Sequence, residues 1–427
     1  MNAERRRPHL DRTPGRLGCL RAAAAVEHQI ETVALFAQQA QLLSGFGPRR
    51  DRFGDGLADL AQHLAQALLA QGPIWFVTAQ GAVKLARHGG GVNAAPPTGR
   101  ASVRPLVSGS PEPLDFDRLA SWLAAHGRAA QRIELLRGDL SPRRYLRVHG
   151  DGWTAIVAFY PPEVRDACVR FRASTTLLAA RGIRVPQLLA SDCDVGWMLL
   201  EDVGLRTLYE HQAMAWPERE RWLAAALEVP DRLRGLDRET VAALNPPLDA
   251  ALLRRELEQT TELVLRPRGL GPDDPLGREV REFFDRTTEE LGRGPLVPAH
   301  RDLMVRNLVP IPSGELAVLD HQDLRLAPPA YDVASLLNDS WFLPPEMEER
   351  LLLRCAGLGF GRRDYRLAAV QRTLKAAGTY AAFARRGADR HLPLLQPTLE
   401  RALAHWRELE PESALAERVA ERLLENC

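Results

Sequence analysis

The chain has 427 residues, a formal net charge of +1 and an apolar fraction of 45%. That length exceeds one ordinary domain and predicts two or three. The balanced charge excludes a single-sign field of the kind that gathers nucleic acid or an anionic membrane surface, and no run of about 18 apolar residues is present to span a bilayer.

Of the 56 basic residues only Lys84 and Lys375 are lysine, so any task that needs an ammonium group falls to one of two positions. The five cysteines, Cys19, Cys168, Cys193, Cys355 and Cys427, are odd in number, scattered, and form no C-x-x-C pair. Neither a disulfide framework nor a zinc knuckle is expected from them. The basic start Met1–Pro8 is not followed by an apolar stretch of leader length. A reducing, cytoplasmic setting is the expectation.

Residues 1–21 are rich in arginine and proline and read as a disordered tail. A short α/β region is predicted over 22–110. It holds a helix over 22–44, a second from about Gly56 to Gln71 with Leu57, Leu60, Leu64 and Leu68 on one face, and a short buried strand at Pro73–Thr78. A helix-like stretch at Ala82–His88, a Gly/Pro loop at Gly89–Gly99 and a strand at Arg100–Val107 follow. Ser108–Pro113 reads as a linker.

Beyond it the pattern changes. Asp115–His126 reads as an amphipathic helix. Ile133–Val148 and Trp153–Phe159 read as strands around the turn His149–Gly152. A helix from about Pro162 to Ala180 stops at Gly182, and Gln187–Ala190 and Gly196–Leu200 read as two more strands. From Thr207 the chain is nearly all helix-forming, except around Leu308–Ile311 and Leu316–Leu319. The predicted class is α+β: a small β-rich lobe over 115–203 and a large α-helical lobe over 204–427.

The large lobe contains His300-Arg301-Asp302-Leu303-Met304-Val305-Arg306-Asn307, the H-R-D-x-x-x-x-N spacing of a kinase catalytic loop. Shortly after it, Ala317-Val318-Leu319-Asp320 puts a carboxylate at the end of an apolar strand. Phosphoryl transfer asks a protein mainly for positioning and charge neutralisation. Asp302 is suited to accept the proton of an acceptor hydroxyl, and Asn307 and Asp320 offer hard oxygen ligands to Mg²⁺. His300 reads as scaffold bracing the backbone around Asp320, and Asp332 as a structural tie to the following helix. Asp323 is either a second metal contact or a solvated loop carboxylate. Arg306, inside the motif, and Lys375, in a helical run with Arg372, are further candidates. Trp197, Trp341 and His321 read as packing residues.

These segments resemble the aminoglycoside/choline kinase-like phosphotransferases, and within them the bacterial anomeric kinases of N-acetylmuramate and N-acetylglucosamine. The resemblance runs over about 115–410 and includes Arg137–Arg147, Leu200–Gly204, His300–Asn307, Leu319–Asp323, Tyr331–Leu337 and Gln371–Gly378. It implies a two-lobed protein-kinase-like fold, ATP and Mg²⁺ as cofactors, and a small-molecule acceptor, an amino sugar. It places the loop over the ATP phosphates at Gly138–Tyr145, with Ser141, Arg143 and Arg144, and the adenine-binding hinge at Leu200–Val203, with Glu201 and Val203.

Two departures stand out. No lysine occurs between residues 85 and 374, so phosphate contacts in the small lobe fall to Arg143, Arg144 or Arg147. Phe159 stands where relatives tend to have an aspartate ahead of a small residue and two prolines. An aminoglycoside or choline-type kinase and a catalytically inactive binding protein are the alternatives. Within 22–110 the order helix, strand (Ile74–Val77), Gly-turn (Thr78–Gly81), helix is faintly similar to the start of sugar-isomerase domains, as a partial remnant.

Overall fold

The computed structural model describes residues 114–136, 141–204 and 206–424, together with the backbone of 74–76. The tail 1–21, the helices read over 22–44, 56–71 and 82–88, the strand at 100–107, the linker 108–113 and the Arg137–Leu140 part of the phosphate loop lie outside the described residues.

The small lobe is built on one sheet of order β1-β2-β3-β4-β6-β5. Its strands are β1 (Ile74–Phe76), β2 (Arg132–Leu135), β3 (Arg144–His149), β4 (Thr154–Phe159), β5 (Leu188–Asp192) and β6 (Trp197–Glu201), with every pairing antiparallel. β1 pairs with β2, Ile74 opposite Glu134. Strand pairing therefore crosses the boundary expected between the 22–110 region and the small lobe. The β3–β4 turn holds Gly152 at φ +72°, a backbone conformation that glycine adopts without steric cost.

Alternation along the strands gives the sheet two apolar faces. Helix α1 (Phe116–Ala125), capped by the Asp115 side chain, packs Leu119 and Leu123 against Leu146, Val157, Phe159 and Trp197. Helix α2 (Arg165–Ala180) packs Phe171 and Cys168 against Ala158, Tyr160, Met198 and Leu200 on the other face. The expectation of no disulfide is corrected here. Cys168 on α2 is bonded to Cys193 in the β5–β6 turn, with Cα atoms 5.7 Å apart. The two meet because α2 lies across the β5–β6 hairpin, a non-local contact that cysteine spacing does not encode. The scattered-cysteine argument for a reducing compartment falls with it.

The large lobe is helical around an extended apolar core. The helices that matter for the site are α3 (Ala250–Thr260), α4 (Pro275–Gly292), α5 (Tyr331–Leu337), α6 (Arg362–Arg385) and α7 (Leu395–Leu409). Two short ribbons sit against them: β7 (Val297–Ala299) with β10 (Arg325–Ala327), and the hairpin β8 (Leu308–Pro310) with β9 (Leu316–Val318). Among the described residues no helix is long and apolar enough to cross a membrane.

Candidate active site

The β8–β9 register creates the site. Leu308 opposes Val318, so the residues just outside the hairpin, Asn307 and Leu319, also face each other, and the Leu319 amide donates to the Asn307 carbonyl at 2.8 Å. Asp320 comes next, at the mouth. It adopts φ +57°, a left-handed conformation that aspartate tolerates better than most side chains. On the other side, Asn307 Nδ2 donates to the Asp302 carbonyl at 2.8 Å. That bond uses the amide nitrogen and leaves Asn307 Oδ1 as an acceptor. Asn307 is thus bonded directly to Asp302 and to Leu319, the residue that precedes Asp320.

The loop is braced from below. His300 is fully buried, and its Nε2 meets the Leu319 carbonyl at 2.9 Å. Asp332, at the start of α5, accepts the amides of His300 at 2.6 Å and Arg301 at 2.8 Å. Burial pushes the Asp332 carboxyl up, while His300 and the two amides act to lower it. Arg301 holds φ +76° and its guanidinium reaches Glu256 on α3 at 2.7 Å and Asp323 at 3.1 Å. Asp323 also meets Arg325 at 3.3 Å. Its two oxygens are engaged by two guanidinium groups, and the side chain stays 30% exposed.

Asp302 is the electrostatic centre. Arg372 and Lys375, both on α6, approach its Oδ1 at 3.1 and 3.5 Å, and Arg301 lies 3.8 Å from Oδ2. Burial alone would raise the Asp302 carboxyl, but Lys375, Arg301 and Arg372 together outweigh it and hold the group well below the usual carboxylate range. Arg372 is fixed in turn by its Nε bond to Ser335 at 3.0 Å. From the sequence, Arg372 stands out only as a helical neighbour of Lys375, and nothing there assigns a site role to Glu256 or Gln322. A basic pair three residues apart on a helix, both on one face, was the available signal for the first.

The small lobe closes the site from above. Arg143 Nη2 donates to Asp320 Oδ1 at 3.1 Å, and Gln322 donates to the same oxygen at 3.0 Å. Ser141 Oγ accepts from the Arg143 amide and from its Nε, at 3.2 and 3.1 Å, which folds the guanidinium toward the cleft. Arg144 goes the other way. It lies 4.7 Å over the Phe159 ring, on the α1 face of the sheet, so it does not share the cleft with Arg143, and Phe159 itself is packed in that same core. Arg147 is taken by the hinge, where it pairs with both oxygens of Asp202 at 2.6 and 2.7 Å. Asp202 also accepts the Gly204 amide at 3.1 Å, which fixes Val203 between them. The Glu201 side chain turns to Arg184 and the Gln187 amide. Trp197 and Trp341 are buried, and His321 packs on Phe171 with Nδ1 2.8 Å from Ser174 Oγ.

A β-rich lobe over a helical lobe, with an H-R-D loop, a strand-end aspartate and an arginine reaching across between them, defines a kinase-type phosphotransferase. The chain matches the phosphotransferase enzyme family (APH) over residues 132–367 and belongs to it. Among its relatives are N-acetylmuramate/N-acetylglucosamine kinases. That of Pseudomonas aeruginosa is 33% identical over 294 residues, covering 64% of this chain and 83% of the relative. That of Neisseria meningitidis is 29% identical over 328 residues, covering 70% and 94%. The GDP complex of aminoglycoside 2'-phosphotransferase-IIIa shares the fold, with a TM-score of 0.51 at 16% identity over 68% of this chain and 98% of that one. This chain is an ATP-dependent small-molecule kinase.

Proposed function

We propose that the acceptor is an amino sugar and that the chain phosphorylates its anomeric hydroxyl in the cytoplasm, where ATP is supplied. The observation that carries the acceptor class is the cationic setting of Asp302, faced by Arg372 and Lys375. An acceptor bearing several ammonium groups, as an aminoglycoside does, or the fixed cation of choline, would meet like charge there. A neutral or anionic sugar would not. The names of the relatives support the same class.

In this reading Asp302 orients the acceptor hydroxyl and takes its proton as phosphoryl transfer proceeds. Its depressed pKa makes it a weak base, which suits a reaction where positioning matters more than early proton removal. Asn307 Oδ1 and Asp320 Oδ2, each left over after the hydrogen bonds above, form a hard-oxygen pair that would hold Mg²⁺. Bound there, the ion would neutralise charge on the phosphate oxygens. Arg143 takes the part that protein kinases give to a lysine. Its Nη2 is held on Asp320 and its Nη1 is enclosed beside Tyr160, so the guanidinium is fixed in the cleft where it can meet a phosphate oxygen.

ATP turnover against a panel of N-acetylated amino sugars, aminoglycosides and choline tests the assignment. Turnover confined to the sugars, with an acid-labile sugar phosphate as product, is expected. Preference for an aminoglycoside or choline would refute it.

A further inference from the structure

Arg306 stands in the catalytic loop, four residues after Asp302 and directly before Asn307. Its guanidinium lies 3.7 Å over the ring of Tyr209, in the turn Leu208–Glu210 that follows the hinge. Its Nη2 is enclosed, yet no acceptor reaches it. The neighbouring carboxylates are already engaged: Asp302 with Arg372 and Lys375, and Asp339 with the Val305 amide at 2.9 Å.

Tyr380 on α6 and His391 both feel the Arg306 charge, and their rings stack with centroids 5.6 Å apart. Burial first, then Arg306 and Arg390, lower His391 to about 4, so it is neutral near pH 7 and adds no charge of its own. Four residues along the loop from Asp302 there is therefore a guanidinium stacked on Tyr209, with an enclosed N–H and no carboxylate partner among the described residues. A guanidinium suits a carboxylate, which it grips with two parallel hydrogen bonds. An enclosed N–H with no acceptor carries a desolvation cost that such a ligand would remove.

We propose that Arg306 binds the carboxylate of an anionic amino-sugar acceptor, of the N-acetylmuramate type, and so sets its preference over neutral sugars of the N-acetylglucosamine type. The inference rests on the amino-sugar reading above and deepens it by naming the residue that reads the acceptor's charge.

The test compares kcat/KM for N-acetylmuramate, its methyl ester and N-acetylglucosamine in the wild type, Arg306→Gln and Arg306→Lys. The wild type should prefer the acid to the ester. In Arg306→Gln the ratio of acid to neutral sugar should fall about 10- to 100-fold, mainly through KM, the size expected for a lost charged hydrogen bond. Arg306→Lys should recover part of it. Because both sugars are assayed on one preparation, the ratio is insensitive to the fraction of folded enzyme. Should Arg306→Gln not fold, the ester comparison and Arg306→Lys decide the matter. Turnover of all three compounds with an unchanged ratio, or equal use of acid and ester by the wild type, overturns the inference alone. A wild type inert on all three overturns the amino-sugar reading and this inference together.

Discussion

Asp302 sits under three cations, and the balance between burial and those cations decides how it behaves. Burial favours the neutral acid, while Lys375, Arg301 and Arg372 favour the carboxylate and win. The folded pKa is therefore depressed, and Asp302 stays ionised at any pH above its ordinary 3.8. Asp302→Asn removes the proton acceptor and leaves the shape, so kcat should fall about 10²- to 10⁴-fold; undiminished turnover would refute the role. Lys375→Met removes the largest of the opposing charges. The Asp302 carboxyl should then rise toward the usual range, and the acid limb of the kcat–pH profile should move to higher pH. A merely structural Lys375 would lower activity without moving that limb. Arg143→Met should raise KM for ATP by about 10-fold, with Arg143→Lys intermediate, since an ammonium keeps the charge but not the two-pronged fork.

At the scale of elements, the catalytic loop is a strained segment held by α5. Arg301 and Asp320 both take positive φ, and Asp332 satisfies two consecutive loop amides. Asp332→Asn offers one acceptor and one donor where the loop presents two donors. It should cost about 1–3 kcal/mol and lower Tm by several degrees, and kcat should fall with it. A calorimetric scan beside a turnover assay checks both; a variant that keeps wild-type Tm would show that the two amides do not depend on the carboxylate. The loop and the β8–β9 hairpin were legible in the sequence because they are local. Residues 300–307 and 320 lie within one short stretch, and the hairpin register follows from two apolar runs. What could not be read was the far side. Arg372 and Lys375 meet Asp302 across some 70 positions, and Arg301 reaches back to Glu256 on α3. Arg143 and Arg144 are neighbours in sequence, and only the sheet's alternation sends one toward Asp320 and the other over Phe159. The Cys168–Cys193 bond was missed for the same reason, as it depends on how α2 crosses the hairpin.

For the molecule as a whole, buried neutral histidines set the response to acid. Burial, reinforced by His300, lowers His321 to about 3. Burial, reinforced by Arg401 and Arg366, lowers His405 to about 2. The Arg366 guanidinium is 2.6 Å from His405 Nδ1; a guanidinium only donates, so Nδ1 accepts and the proton is on Nε2, directed at Asn338 Oδ1. Both rings have an ordinary pKa of 6.5. Below that value the unfolded chain binds protons that the folded chain refuses. The stabilisation is complete above pH 6.5 and is lost progressively as pH falls toward the folded values, at about 1.4 kcal/mol per pH unit for each histidine. His321 also packs Phe171 and Ser174 of the small lobe onto the turn that carries Asp320, so protonation there should loosen the lobe contact at Asp320. Denaturant unfolding measured at stepped pH should show stability falling from about pH 6.5 downward, before most carboxylates titrate. His405→Gln retains a donor and an acceptor but cannot titrate, so its stability should decline more shallowly, by about 1.4 kcal/mol per pH unit less than the wild type. Equal slopes would show that His405 is protonated in the folded protein, and that Glu348, 3.8 Å away, outweighs the neighbouring arginines.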